Sequence, residues 1–165
     1  MAEHDAAMAR SIEGTIWADL ETWRPARHWA SVVDRAAKRL AADRGDVLAW
    51  AELAMMLGDS RAADLGLIVC LRAERLSGTE KEPGGVAAHR NLCLLQLGLA
   101  TPRIPGLIAL REISRADFVA ISTSRLDAWV ARQLIPFDGD LEAAADFVLQ
   151  LARARTGLRD DEPAL

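Results

Sequence analysis

The stretch DVLAWAELAMMLGDSRAADLGLIVCLRAERL, residues 46–76, decides the fold class of this chain. Residues 47–57 are apolar on nearly every side of a helix, which predicts a central helix that ends at Gly58. A second helix is expected over residues 61–76. Residues 66–71 alone would also suit a buried strand, but the residues after them continue the helical spacing. The stretch therefore predicts two successive helices.

Helical spacing extends from this pair towards the N-terminus. Apolar residues recur every three or four positions over residues 5–23 and predict a first helix. A second helix, which Pro25 can open, carries its apolar face as far as Leu40. Gly45 is expected to end this helix, and Asp46 is expected to cap the next one.

The C-terminal side of the pair also favours helices. Residues 77–85 are polar and contain a proline and three glycines, which predicts an exposed loop. A further apolar helix is expected over residues 86–97. Ala, Leu, Arg and Glu dominate the chain, and Val, Ile and Thr never alternate over the length of a strand. We therefore predict an all-α fold, a compact bundle of about seven or eight short helices.

Composition argues against several classes of protein. The chain has 165 residues, of which 51% are hydrophobic and 27% charged, as in an ordinary globular protein. No apolar run reaches the roughly 18 residues that a membrane span requires, so no membrane contact is expected. The first five residues are acidic rather than basic, unlike a secretory signal, which predicts a cytoplasmic protein.

Motifs that carry catalysis or hold cofactors are missing from the sequence. It has no phosphate-binding GxxxxGK[ST] loop, no GxGxxG fingerprint and no HExxH zinc motif. His89 and Cys93 are four residues apart on one predicted helix, and with Cys70 they would offer three metal ligands. We favour buried free thiols, because such residues on apolar helices usually pack in the core. We expect no metal, no cofactor and no enzymatic activity.

Tryptophan is concentrated in the first third of the chain. Four of the five tryptophans lie there, each on or beside an apolar stripe, which favours a role as core anchors. Exposed tryptophan is also enriched where proteins bind one another, so a partner-binding surface is the alternative. Trp23 and Trp29 flank a predicted helix break and are the candidates for that surface.

Residues 112–136 follow the plan of two short helices joined by a tight turn. The first helix is expected to be amphipathic, with four apolar positions: Ala116, Phe118, Val119 and Ile121. Residues 122–124 then supply side chains that cap helices, and Ser124 with Asp127 matches a capping box. The second helix is expected to end at Pro136, with three residues facing inwards: Leu126, Trp129 and Val130.

The second helix carries a family resemblance. Residues 121–136, ISTSRLDAWVARQLIP, resemble the recognition half of MerR-type regulators and phage excisionases, whose motif reads GVSxSxLxxW/YxxxGLIP. Eight residues fall on this pattern without a gap: Ile121, Ser122, Ser124, Leu126, Trp129, Leu134, Ile135 and Pro136. Residues 140–157 resemble the helix that follows the wing in both families. The resemblance covers residues 112–157 and implies a helix-turn-helix that binds DNA.

The chain departs from the family pattern at several points. Ala120 and Gln133 stand where the families have glycine, and only residues 137–139 remain where a β-wing is expected, so the wing is predicted to be missing. Residues 100–165 contain eight arginines and ten acidic residues, a net charge of −2. Asp127 also lies on the predicted recognition helix, where its charge would oppose a phosphate.

These patterns lead to a domain plan and a function. We expect a helical body over residues 1–99, a helix-turn-helix-like subdomain over residues 100–157 and a flexible tail over residues 158–165. The resemblance implies a DNA-associated protein of the regulatory or recombination-accessory kind. The net charge of the chain is −4, so DNA contacts must come from a local cluster of residues. The candidates are Arg115, Ser122, Thr123, Arg125 and Arg132. Of these, Thr123 and Arg125 are expected to face a groove of the DNA, and Arg115 and Arg132 to contact its phosphates.

The alternative function needs no DNA. A helical adaptor or assembly protein would act through protein contacts, with Trp23 and Trp29 on its binding surface. A protein partner or a second copy of the chain is expected in either case. An enzyme is the weakest of the three readings.

Overall fold

The computed structural model describes residues 13–20, 23–25, 27–59, 62–78, 86–102 and 119–160. These residues are mostly helical, so the all-α class is confirmed. Within the described ranges there are six α-helices: α1 (Ala30–Ala42), α2 (Val47–Asp59), α3 (Ala63–Ser77), α4 (Val86–Gln96), α5 (Thr123–Gln133) and α6 (Leu141–Asp160). Three short 3₁₀ helices, Ile16–Asp19, Arg27–Trp29 and Ile135–Phe137, accompany them. The predicted number of seven or eight helices is not confirmed.

Helix α2 lies at the centre, as its apolar composition predicts. It packs against α1, α3 and α4. Helix α6, near the C-terminal end of the sequence, packs against α1 and α3. Trp50, Leu53 and Leu57 are at most 1% exposed on α2. Burying one such side chain stabilises the fold by about 1.5–3 kcal/mol. Helix α3 is continuous through residues 66–71, so the prediction of a helix rather than a strand is confirmed.

The junction between α1 and α2 forms only partly as predicted: α1 ends at Ala42 rather than at Gly45, whereas Asp46 caps α2 as expected. Asp46 precedes α2, and its Oδ1 accepts a hydrogen bond from the Ala49 backbone N–H at 3.1 Å. Both carboxylate oxygens of Asp46 also accept hydrogen bonds from Arg39, each at 2.9 Å. Because one carboxylate caps α2 and pairs with α1, it fixes the two helices to each other.

Gly66 allows α3 to approach its neighbours closely. A Cβ at this position would lie 3.4 Å from Sγ of Cys93 and 3.5 Å from the backbone oxygen of Ala54. These atoms belong to α4 and α2 respectively, so the missing side chain makes room for both helices. The glycine inside an otherwise apolar run is therefore a packing position.

A two-stranded antiparallel ribbon replaces part of a predicted helix. β1 (Ala100–Pro102) pairs with β2 (Val119–Ile121), and Thr101 lies opposite Ala120. The first helix of the predicted helix-turn-helix was expected to include residues 119–121, and that prediction is wrong. Pairing with β1 and the contact of Ile121 with a small cluster around Leu94 and Leu99 hold these residues extended.

The N-terminal prediction is also wrong. Instead of a helix over residues 5–23, the described part has a turn at Glu13 and Gly14 and then one 3₁₀ helix. Gly14 has φ +75°, which a helix does not allow. Pro25 opens no α-helix either, since α1 begins only at Ala30. Residues 5–12 lie outside the described residues.

Helix α6 extends further than predicted. Its stop was expected at Thr156 and Gly157, but the helix continues to Asp160, so residues 158–160 of the predicted tail are helical. The Thr156 hydroxyl donates a hydrogen bond to the Ala152 backbone oxygen at 2.6 Å, a bond within the helix that does not end it. Residues 161–165 lie outside the described residues.

The main core joins residues from both sides of the predicted domain boundary. Trp17 and Leu40 belong to the same buried cluster as Leu134, Leu141 and Val148. The division at residue 99 itself stays a prediction. Across the described ranges, no helix combines the length and the apolar character that crossing a membrane would require.

Candidate functional site

The candidate site is α5 and the two segments that hold its ends. At its start, the Ser122 backbone N–H donates to the Leu99 oxygen at 3.2 Å, which ties the helix to the end of α4 and to β1. Ser122 is the N-cap, and its backbone oxygen accepts from the Leu126 N–H at 2.9 Å. The predicted capping box of Ser124 and Asp127 does not form, because Ser124 already lies inside the helix.

Nothing helical in the described residues precedes α5 directly, because β2 leads into it through Ser122. A first helix of a helix-turn-helix would have to end before Val119. Residues 112–118, and with them Arg115, lie outside the described residues.

The two sides of α5 differ as its sequence predicts. Leu126, Trp129 and Val130 are partly buried and pack towards the core. Thr123 and Arg125 lie exposed on the first turn of the helix. The other exposed residues of α5 are Ser124, Asp127, Ala128, Ala131 and Arg132. The first turn therefore presents its polar side chains to solvent.

Charge on this exposed face differs from that of the whole chain. Arg125 and Arg132 against Asp127 give the outer face a net charge of +1, whereas the chain carries −4. Arg125 forms no ion pair with any residue that the structure describes. Asp138 and Asp140, both exposed, lie beyond the C-terminal end of α5. The start of the helix is thus its more favourable end for an anion.

At the C-terminal end of α5, Gln133 joins the helix to the N-terminal segment. Its side chain is buried, and Oε1 accepts a hydrogen bond from the Ile16 backbone N–H at 2.8 Å. The Gln133 backbone oxygen accepts from Nε1 of Trp17 at 2.6 Å. Gln133 stands where the resembling families have glycine, and these bonds explain what its side chain does. Sequence reasoning missed this role, because nothing local marks a partner so far along the chain.

An aromatic cluster surrounds the same end of α5. The ring of Trp17 lies edge-on to Phe137 at 5.1 Å and to Phe147 at 5.4 Å between centroids. Trp17 is 8% exposed, so it serves as a core anchor. Phe147 is 42% exposed and forms the solvent edge of the cluster.

The turn between α5 and α6 takes the place of a wing. After the 3₁₀ helix Ile135–Phe137, Asp138 and Gly139 both have positive φ, at 53° and 81°. Asp140 then caps α6, since its Oδ1 accepts from the Ala143 N–H at 3.2 Å. All residues from α5 to α6 are described, and none forms a strand. The prediction that the wing is missing is confirmed.

Arg132 is exposed, but its guanidinium already has a partner. Its Nε donates a hydrogen bond to the backbone oxygen of Gly14 at 3.0 Å. Contact with a phosphate therefore has to compete with this bond or use the other N–H groups of the guanidinium.

Trp23 and Trp29, the candidate partner-binding residues, are both half-buried and pack against the main core. The indole Nε1 of Trp23 is buried without a hydrogen-bond partner among the described residues. The ring of Trp29 lies 5.0 Å from that of the exposed His28. Their role in partner binding stays a prediction.

A groove of about 710 Å³ runs between the C-terminal half of α3 and the inner side of α5. Its apolar lining is Leu71, Leu126, Val130, Leu134 and Leu141. Arg75 and Asp127 add charges of opposite sign, and Glu74 forms an ion pair with Arg90. The groove could therefore receive an apolar group flanked by polar ones.

The two cysteines are buried free thiols, as predicted. A hydrogen bond with Cys93, together with burial, raises the pKa of the Cys70 thiol, so this group stays protonated. Within the described ranges, no three His, Cys, Asp or Glu side chains are arranged to hold a metal ion. The expectation that the protein binds no metal stays a prediction.

Known proteins add no constraint on these interpretations. Comparison with protein-family models, with curated proteins and with solved structures finds no match for this chain.

Proposed function

We propose that this protein associates with DNA through the exposed face of α5, in a regulatory or recombination-accessory role. The observation that carries the proposal is the exposed first turn of α5, where Thr123 and Arg125 face solvent on a helix whose other side is packed. Recognition helices contact base edges with residues near their N-terminus. Ser122 and Thr123 are proposed to contact DNA beside Arg125, and Arg115 and Arg132 to contact phosphates.

The net charges of the chain and of the α5 face limit how strongly the protein can bind DNA. With −4 on the chain and +1 on the face of α5, attraction to phosphates is short-ranged and easily screened by salt. A single module of this kind buries roughly 600–1,000 Å² against DNA. We therefore propose that a second copy of the chain or a protein partner adds to the affinity. The absence of enzymatic activity and a cytoplasmic location stay predictions from the sequence.

Substitution of Arg125 tests the DNA proposal. Arg125→Ala should weaken binding to a preferred duplex by about 1–3 kcal/mol and blur its sequence preference, because a base contact is lost. Fluorescence anisotropy at roughly 50 mM salt, where phosphate contacts are strongest, is the measurement. Arg153→Ala removes another exposed arginine, on α6 rather than α5, and should leave the preference unchanged. No affinity of the unaltered protein for DNA under these conditions would rule out the proposal.

The groove between α3 and α5 favours a second candidate function, a helical adaptor. An apolar lining with Arg75 and Asp127 at its edge suits an amphipathic segment of another protein. On this reading the arginines of α5 contribute nothing, whereas Val130→Asp, which places a charge in the groove, abolishes association with a partner. Ala128→Asp, on the exposed side of the same helix, is the matched control.

A further inference from the structure

We infer that the backbone oxygen of Gly14 and a DNA phosphate compete for the guanidinium of Arg132, so the N-terminal segment regulates the DNA contact of α5. This inference rests on the proposed function. It goes beyond it by naming a contact inside the protein with which a DNA phosphate competes. The segment concerned is Gly14–Trp17, here called the N-terminal clasp.

The clasp is held firmly where it meets α5. Ile16 and Trp17 bind the side-chain and backbone oxygens of Gln133, at 2.8 and 2.6 Å. The Trp17 bond is buried and the Ile16 bond is part-buried, and Trp17 is part of the main core. Because these anchors lie two and three residues from Gly14, its backbone oxygen stays near Arg132 whether or not DNA is present.

Gly14 is shaped to receive the guanidinium. Its φ of +75° suits glycine, and a Cβ at this position would collide with Nη2 of Arg132 and lie 3.3 Å from Cζ. The guanidinium therefore lies over the bare Cα of Gly14 while its Nε donates to the backbone oxygen at 3.0 Å. A larger residue would push the guanidinium away from the clasp.

The charge of Arg132 is left available for an anion. It forms no ion pair within the described part of the chain, and its bond to Gly14 is exposed to solvent. A phosphate can bind two N–H groups of a guanidinium at once, which is stronger than a single bond to a neutral carbonyl. A phosphate that binds the Nε edge of the guanidinium therefore displaces the Gly14 oxygen, and the lost bond reduces the affinity.

The test compares two glycine variants in duplex-DNA binding by fluorescence anisotropy. Gly14→Ala should tighten binding by roughly two- to fivefold, the equivalent of one exposed hydrogen bond. The slope of log K against log[salt] should not change, because the number of phosphate contacts is the same. Gly98→Ala introduces the same kind of strain at φ +72° with no atom within 4 Å, and should match the unaltered protein.

A double variant that combines Gly14→Ala with Arg132→Ala separates competition for the guanidinium from a general change in the fold. Arg132→Ala should lower the salt slope by about one, and adding Gly14→Ala to it should then give no further gain. Independently of any variant, the Nε–H resonance of Arg132 in the unaltered protein should shift when a duplex is added. This NMR measurement keeps the inference testable if Gly14→Ala fails to fold.

The outcomes distinguish the inference from the function on which it rests. If DNA binds but the Arg132 Nε–H signal does not change, the inference is overturned and the proposed function stands. The same holds if Gly14→Ala increases the affinity equally with and without Arg132. Failure of every protein to bind DNA at roughly 50 mM salt would overturn both.

Discussion

Gln133 links two parts of the chain that are 117 residues apart in sequence. Its side-chain oxygen satisfies the Ile16 N–H, and its backbone oxygen satisfies the indole of Trp17. Gln133→Leu should therefore cost about 1–3 kcal/mol in the free energy of unfolding, because it leaves a part-buried N–H without a partner. Denaturant unfolding measures the loss. Gln96→Leu, at an exposed position on α4, is the control, and an equal effect of both changes would contradict the account.

Asp64 gives a prediction for the dependence of stability on pH. Burial is the main cause that raises its pKa in the folded protein, and a backbone hydrogen bond from Leu65 only partly opposes it. A raised folded pKa means that the native state binds the proton more tightly than the unfolded state. The stabilisation it gives is present below the unfolded value of 3.8 and is lost as pH rises through the folded pKa.

Asp64→Asn should therefore stabilise the fold at pH 7 and flatten the decline of stability above pH ~4. The amide oxygen keeps the acceptor for Leu65 but removes the partly buried charge. Thermal unfolding at several pH values is the measurement. A variant with the same pH profile as the unaltered protein would show that Asp64 is not responsible.

At the scale of elements, sequence periodicity predicted those helices whose apolar face repeats along one segment. This holds for α3 and α4, because a local pattern alone determines which side of each helix is buried. Helix α2 was expected from a run that is apolar on nearly every side, and α6 from the family resemblance. The inward positions Leu126, Trp129 and Val130 of α5 followed in the same way. The cap at Asp46 was also predictable, since its partner lies only three residues further on.

Elements that depend on distant partners were not predictable in this way. Residues 119–121 are extended because β1 pairs with them, and β1 lies well before them in the sequence. The turn at Gly14 and the 3₁₀ helix at Ile16–Asp19 form against Gln133 and the aromatic cluster. In both places tertiary contacts override the helical spacing of the segment.

The packing of α5 and α6 predicts how these elements behave without the rest of the chain. The inner face of α6 belongs to one cluster with Trp50 and Leu40 of the helical body, so α5 and α6 alone cannot bury it. A fragment of residues 100–165 should give little helical circular dichroism and no cooperative melting. The full chain, measured in the same buffer, should show both. Cooperative unfolding of the fragment would instead establish an independent C-terminal domain.

At the scale of the whole molecule, α5 packs one side against the core and exposes the other, although the chain as a whole is acidic. Helices α1–α3 and α6 share the main core, and α5 is held at its start by Ser122 and at its end by Gln133. Anchoring at both ends keeps its outer face in a fixed orientation, which recognition of a macromolecule requires. The sequence identified this helix and its exposed residues, whereas the clasp that holds its end came only from the structure.

NMR titration tests the central claim, that DNA contacts the outer face of α5, most directly. A short duplex is added to ¹⁵N-labelled protein at roughly 50 mM salt, and backbone amide shifts are followed. The amides of residues 123–125 should shift most, while those of α1, on another part of the molecule, should stay unchanged. No shift in α5, or shifts confined to other helices, would contradict the claim.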